Sequence, residues 1–248
     1  MKEVVIIDGA RTPIGRFGGT LKEVPGVDLG AIAIKEAVRR SKLPIDLIED
    51  VIMGVIHQEG MGNNPTRIAA LKARIPYSSG ALTVNNVCSS GMKSVEIAYR
   101  QIAMGKIDIA VAGGMESNSH CPYMLMNARW GYRLRSSEIV DALYYDGFSD
   151  TYGYYGNYDH VGETAENIVE DREYLIEKYS LPPFDLTFNE INKFALKSHE
   201  NYFKALEKDF FKEIVPINNN IEKRNICLNE DESPRRNLTL EQLNSFQP

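Results

Sequence analysis

Between residues 3 and 114, short β-branched runs alternate with amphipathic stretches, and this alternation constrains the fold more than any other feature of the chain. "EVVII" at 3–7 leads into "DGARTPIGRFGGT", whose glycines and proline cannot continue a strand, so a buried strand entering a loop is expected. Behind it, "DLGAIAIKEAVRRS" places Leu29, Ile32, Ala33 and Val38 near helical spacing, with Asp28 expected as the N-cap. "DVIMGVI" then reads as a strand, "TRIAALKARI" as a helix and "ALTV" as another strand. "MKSVEIAYRQIAMGK" reads as a long amphipathic helix ended by Gly105, and "IDIAVAGGMES" as an apolar strand closing on paired glycines. Strand, helix, strand in this order predicts a parallel α/β unit with a right-handed crossover.

The pattern changes after about His120. "YYDGFSDTYGYYGNYDH" has no clean periodicity and reads as loops over a binding surface, while "GETAENIVEDREYLIEKY" and "FNEINKFALKSHENYFKALEKDFF" read as two amphipathic helices. At 43% hydrophobic and 25% charged, the 248 residues have the composition of a globular protein able to bury a core. The formal net charge of −6 gives no basic excess to suggest nucleic acid or an anionic membrane as partner. No run approaches the roughly 18 apolar residues of a membrane span, and the N-terminal stretch reaches a turn too early for a secretory signal, so a cytoplasmic protein is expected. Cys88, Cys121 and Cys227 are three in number and lack metal-ligand spacing, which argues against a disulfide framework and a metal site.

Free cysteines are most often buried small hydrophobes, and Cys121 and Cys227 are read that way. Cys88, in "VNNVCSSGMKS", is expected at a strand-to-helix junction, where unpaired N–H groups and the helix dipole favour a thiolate. The small residues Ser89, Ser90 and Gly91 leave room for an acyl group and let backbone N–H groups approach a developing oxyanion. Spacing alone leaves a catalytic and a packing cysteine equally open, because a nucleophile also needs a base.

The wording around Cys88 resembles the nucleophile motif of the thiolases, and "GARTPIGRFGG" and "AVAGGMESNS" are similar to two further signatures of that family, in the family's order. "DGFSDTY", "HVGETAEN" and "FKEIVPI" extend the resemblance over nearly the whole chain. It implies an α/β, thiolase-like layered fold, a mixed sheet with helices. The implied division is an N-terminal domain over 1–119 carrying the nucleophile, and an irregular, helix-containing loop domain over 120–248 for coenzyme A binding and oligomerisation. It also implies acyl transfer of the acetyl-CoA C-acetyltransferase type: two acetyl-CoA give acetoacetyl-CoA and CoA through an acyl thioester on Cys88, whose backbone N–H contributes to an oxyanion hole. Coenzyme A enters as thioester substrate, and no permanently bound cofactor is expected.

By the same resemblance His160 lines the pantetheine channel, and Arg235, whose charge and forked geometry suit phosphate, lies toward the nucleotide end of CoA. Read without it, His160 is a loop histidine and Arg235 a surface arginine. His57, His120 and His199 match no role and are assigned to surface or packing. Val161 departs from the methionine that related enzymes commonly carry, and "GYYGNYD" makes the approach to His160 a few residues longer.

A thiolase continues beyond the point matched by Pro248 with an "NEAF" asparagine, a "GHP" histidine and a "CxGG" cysteine, and none of these motifs occurs in 1–248. The expectation is therefore the first half of the fold, with turnover dependent on a C-terminal half. Expected partners are acyl-CoA and either a second copy, as dimer or tetramer, or that half. Two other readings stay open: a non-catalytic CoA-binding or assembly subunit, and a ketoacyl-synthase-like relative, against which the wording "NNVCSSGMKS" argues.

Overall fold

A computed structural model of the protein describes residues 2–149, 160–184, 186–221 and 224–246. The expected binding-surface loop falls partly outside them, at 150–159. The described residues form two compact units, one of 1–147 with 213–232 and the other of 148–212 with 233–248. The first unit thus runs past residue 119 and takes back a later segment.

The first unit is built on three parallel strands, β1 (Asp50–Gly54), β2 (Gly80–Val84) and β3 (Ala110–Gly114), in the order β2-β1-β3. Register runs from Asp50 opposite Gly80 and Ala110 to Gly54 opposite Val84 and Gly114, so all three strands end on one edge. Parallel strands need crossovers, and the helices α1 (Gly26–Ser41), α2 (Pro65–Lys72) and α3 (Ser90–Ala103) cover the sheet. Val27, Ala31, Ile34 and Val38, at helical spacing on α1, pack with Ala69 and Ala70 of α2 and with Val51 and Met53 of β1 into one apolar core. Strand alternation turns Ile52 and Gly54 to the other face, where α3 lies: a Cβ on Gly54 would meet the backbone of Ser90 and Gly91.

Asp28 sits inside the first turn of α1 rather than capping it. Pro25 holds the N-cap position, and Asp28 pairs instead with Lys72 of α2. Asn64 caps α2 by accepting the Arg67 N–H at 3.1 Å. Gly105, at φ 70°, closes the chain after α3 as the sequence suggests.

The strand expected at 3–7 is absent. These residues have no regular structure, and Val5, Ile6 and Ile7 are 69%, 86% and 57% exposed. High β-propensity makes a strand only where a neighbour supplies the ladder. β1 is already flanked on both sides, and no described residue pairs with this run. Among the described residues the antiparallel ladders are β4 (Tyr123–Met124) with β5 (Val140–Asp141) and β6 (Ile217–Ile221) with β7 (Arg224–Leu228), and an isolated antiparallel bridge joins Ser149 and His160. The second hairpin buries Ile217 and Ile226 against Leu21 and Val24.

The second unit is helical. The stretch expected as one helix is two, α4 (Val161–Glu170) and α5 (Arg172–Tyr179), divided at Asp171, a residue type suited to opening a helix. α6 (Phe188–Glu207) packs on α7 (Leu240–Asn244), where buried Asn192 donates to Asn244 Oδ1 at 2.8 Å. No described helix is long and apolar enough to cross a membrane.

Candidate active site

The C-terminal edge of a parallel sheet, where successive connections leave in opposite directions, is where α/β folds place ligands. Here the chain leaves β1 toward β2 and later returns to β3 on the other side. Three loops meet at that edge: 55–59 after β1, 85–89 after β2 and 115–121 after β3.

Cys88 lies in the middle loop, exposed, two residues before α3 begins at Ser90. Its surroundings are closely hydrogen-bonded. Asn86 N–H donates to Ser90 Oγ at 2.8 Å, Ser90 Oγ donates to Val87 O at 2.5 Å, and Ser90 N–H reaches the same carbonyl at 3.0 Å. Asn86 Nδ2 donates to Ser89 Oγ at 2.8 Å, and Ser89 Oγ donates to Asn86 O at 2.8 Å. Val87 has φ 50°, a left-handed conformation that β-branched residues avoid. Ser89 and Ser90 therefore do more than leave space: their hydroxyls tie the loop to the first turn of α3.

Two strand-end glycines let that turn sit on the sheet. A Cβ on Gly54 would come 2.3 Å from Ser90 C and 2.5 Å from Gly91 N, both backbone atoms, and one on Gly114 would lie 3.4 Å from Gly91 Cα. Ser94, fully buried on α3, holds its Oγ 2.7 Å from the carbonyl oxygens of both Gly91 and Gly113. Gly54 and Gly114 thus mark close backbone approach, whereas a Cβ on Gly113 would meet only the Met53 side chain, at 3.5 Å.

A partly buried ionisable cluster lies within these loops. His57 is 5% exposed, and its Nδ1 stands 3.7 Å from Glu59 Oε2. These two atoms and Glu116 Oε1 are buried without a hydrogen-bond partner among the described residues. Burial pushes the Glu116 carboxyl up, against the N–H groups of Ile56 and His57, which favour its anion. Burial, with Glu116, Glu59 and Asp141 nearby, pushes the Cys121 thiol up to about 11. Sequence reasoning missed this cluster, whose one signal was an acid directly following an apolar strand. Cys227 also departs from expectation: it is exposed, because alternation on β7 turns Ile226 inward and Cys227 out, and its Sγ donates to Asn218 Oδ1 at 3.0 Å. Among the described residues no group of three or more His, Cys, Asp or Glu side chains could hold a metal ion.

The second unit holds His160 and Arg235. His160 is the N-cap of α4, its Nδ1 accepting the Gly162 N–H at 3.0 Å, and its ring lies 5.5 Å from Phe148. A Cβ on Gly162 would stand 3.2 Å from that Nδ1. The histidine therefore has a structural duty that the motif did not announce, and with Nδ1 accepting, a neutral ring carries its proton on Nε2. Arg235 is exposed, and its backbone N–H donates to His199 Nδ1 at 3.1 Å. Its neighbour Arg236 lies over the Phe203 ring at 4.3 Å. His199, assigned to surface or packing from the sequence, fixes the loop from which Arg235 projects.

This arrangement can be set beside known proteins. The family model described as "Thiolase, N-terminal domain" matches residues 4–248. The chain belongs to the thiolase family. A probable acetyl-CoA acyltransferase of Staphylococcus aureus strain NCTC 8325 / PS 47 is 38% identical over 252 residues, covering 100% of this chain and 60% of the relative. An acetyl-CoA acetyltransferase structure from Bacillus anthracis has TM-score 0.85 and 36% identity, over 98% of this chain and 58% of that one. One from Syntrophomonas wolfei has TM-score 0.81 and 35% identity, over 98% and 57%. The fold is the α/β thiolase fold, and the chain spans about 60% of the length of the curated relatives it matches.

Proposed function

We propose that residues 1–248 supply the acylating part of an acetyl-CoA acetyltransferase, with Cys88 as the nucleophile. The observation that carries this reading is the position of Cys88: exposed at the C-terminal edge of the parallel sheet, in a loop bound to the start of α3, within a chain whose relatives are named for acyl transfer. The Cys88 thiolate attacks the carbonyl carbon of an acetyl thioester. The tetrahedral oxyanion is stabilised by N–H groups at the helix start, the C–S bond to CoA breaks, and CoA leaves as a thiolate that takes up a proton. Condensation of the acetyl-enzyme with a second acetyl-CoA then requires removal of an α-proton. Neither Cys121, held protonated by burial, nor exposed Cys227 on its hairpin is suited to that step. A C-terminal thiolase half is the proposed source of that acid/base.

Coenzyme A is the proposed ligand of the second unit, with His160 toward the pantetheine and Arg235 toward the phosphates. Single-turnover incubation with acetyl-CoA followed by mass-spectrometric mapping should place an acetyl group on Cys88, and Cys88→Ala should carry none. His160→Asn keeps an N-cap acceptor and removes the imidazole. It should retain the α4 helix while weakening acetyl-CoA binding, whereas an unchanged affinity would leave His160 a capping residue only. Steady-state thiolysis of acetoacetyl-CoA should be near background for the chain alone; robust turnover lost in Cys88→Ala would refute the dependence on a second half.

A further inference from the structure

We propose that Glu116, half-buried with its Oε1 enclosed, is a positioning residue for Cys88, acting through Ile56 and Asn85 to hold Val87 in its left-handed conformation. The links are direct. Ile56 N–H donates to Glu116 Oε2 at 2.8 Å. Asn85 Nδ2 donates to Ile56 O at 3.1 Å, and Val87 N–H donates to Asn85 Oδ1 at 3.0 Å. The path therefore crosses all three loops of the sheet edge, from the end of β3 through the end of β1 to the residue preceding the thiol.

Each link supplies what the next needs. A valine at φ 50° reverts to the ordinary region unless its neighbours over-determine it. Val87 O is held from the α3 side by Ser90, so the Val87 N–H bond fixes the other end of the same residue. Asn85 is exposed and holds its side chain across to the next loop only while the Ile56 carbonyl stays aimed at it. The orientation of that carbonyl follows the Ile56 region, whose N–H is clamped by Glu116. An enclosed carboxylate oxygen, Oε1, left unpaired among the described residues is costly, and an anchor for the Cys88 loop is a role that offsets the cost. The link requires an acceptor oxygen and no charge.

The proposal rests on the assignment of Cys88 as nucleophile, and two readouts separate the two ideas. The first is amide hydrogen exchange at Val87. The second is the ratio of iodoacetamide labelling at Cys88 to that at exposed Cys227, which cancels general changes in folding. In Glu116→Ala and Asn85→Ala, Val87 exchange should quicken and the labelling ratio should fall about tenfold, with the double variant no worse than either single one. Glu116→Gln, which keeps an acceptor oxygen, should hold the ratio within about twofold of the parent. Asn85→Asp keeps the acceptor for Val87 but loses the donor to Ile56, and should resemble Glu116→Ala; because its side chain is exposed, it tests the path even if Glu116→Ala does not fold. Unchanged Val87 exchange in Glu116→Ala or Asn85→Asp overturns the proposal whatever Cys88 does, as does a Gln variant that falls as far as Ala. Equal labelling of Cys88 and Cys227 in the parent overturns the nucleophile assignment alone, leaving Val87 exchange to decide the path.

Discussion

Burial sets Cys121 apart from the exposed Cys88 and Cys227, and only part of that difference could be read from the chain. The junction holding Cys88 was legible because a strand pattern, a run of small residues and a helix pattern adjoin there. The exposure of Cys227 was not, because it depends on which face of a two-stranded hairpin finds a core. Glu116 was equally hidden: a single acid after an apolar run carries no period, and its burial is set by three loops converging from distant parts of the chain. Its raised carboxyl has a measurable consequence. The folded protein retains the Glu116 proton over a window in which the unfolded chain has released it, from the ordinary Glu value up to the raised folded one. Stability attributable to this group therefore falls as pH rises through that window. Glu116→Gln keeps the acceptor and removes the titration. Urea midpoints between about pH 4 and about pH 8 should fall less steeply in that variant, which should be at least as stable as the parent at neutral pH. Part of the slope should remain, because burial also raises Asp50 at the start of β1. A Gln variant less stable than its parent at neutral pH would mean that the charge itself is needed.

Among elements, periodicity identified α1, α2, α3 and the three parallel strands, although of the three helices only α2 carries a side-chain N-cap. It failed at 3–7, where propensity was present without a partner, and at β6 and β7, where an asparagine-rich strand reads poorly and pairing alone makes the hairpin. What binds that hairpin to the rest of the first unit lies in the segment "ARTPIGRFGGT". Arg11 makes two bonds to Asp231, at 2.6 and 3.0 Å, and one to Glu213 at 3.1 Å, while Asp231 Oδ1 also accepts the Ile14 N–H at 2.8 Å. Glu232 accepts from the N–H groups of Arg16 and Thr20 and from the Thr20 hydroxyl. The Asp231 side chain is 10% exposed and that of Arg11 31%, so removing the guanidinium strands a largely buried carboxylate. Arg11→Ala should cost about 2–3 kcal/mol by urea unfolding, less than a fully buried pair because Arg11 still reaches water. Arg11→Lys should recover only part, since an ammonium cannot reproduce the fork. A loss below about 0.5 kcal/mol in Arg11→Ala would reduce the network to surface pairing.

For the whole molecule, what is left exposed matters most. The run 3–7 is held at both ends, by the Lys2 N–H donating to Ala103 O at 3.1 Å and the Arg11 N–H donating to Glu213 O at 3.0 Å, and presents three apolar β-branched side chains between those anchors. On α3, Met92, Val95 and Tyr99 follow one helical stripe and are exposed beside edge strand β2, whose Leu82 is exposed as well. Surfaces of this kind recruit another chain or aggregate. The stripe flanks the Cys88 loop and suits a two-fold contact with a second copy, the commonest closed assembly. The 3–7 run, strand-like in sequence and unpaired among the described residues, suits a strand supplied by a C-terminal thiolase segment. Light scattering should therefore find the 248-residue chain associated or poorly soluble alone, and of defined size once such a segment is co-expressed. Tyr99→Glu should weaken self-association without preventing capture of the segment, while Ile6→Lys should do the reverse, because the two surfaces lie on different elements. A stable, monodisperse monomer that ignores the segment would count against a shared enzyme and favour a binding module that works by itself.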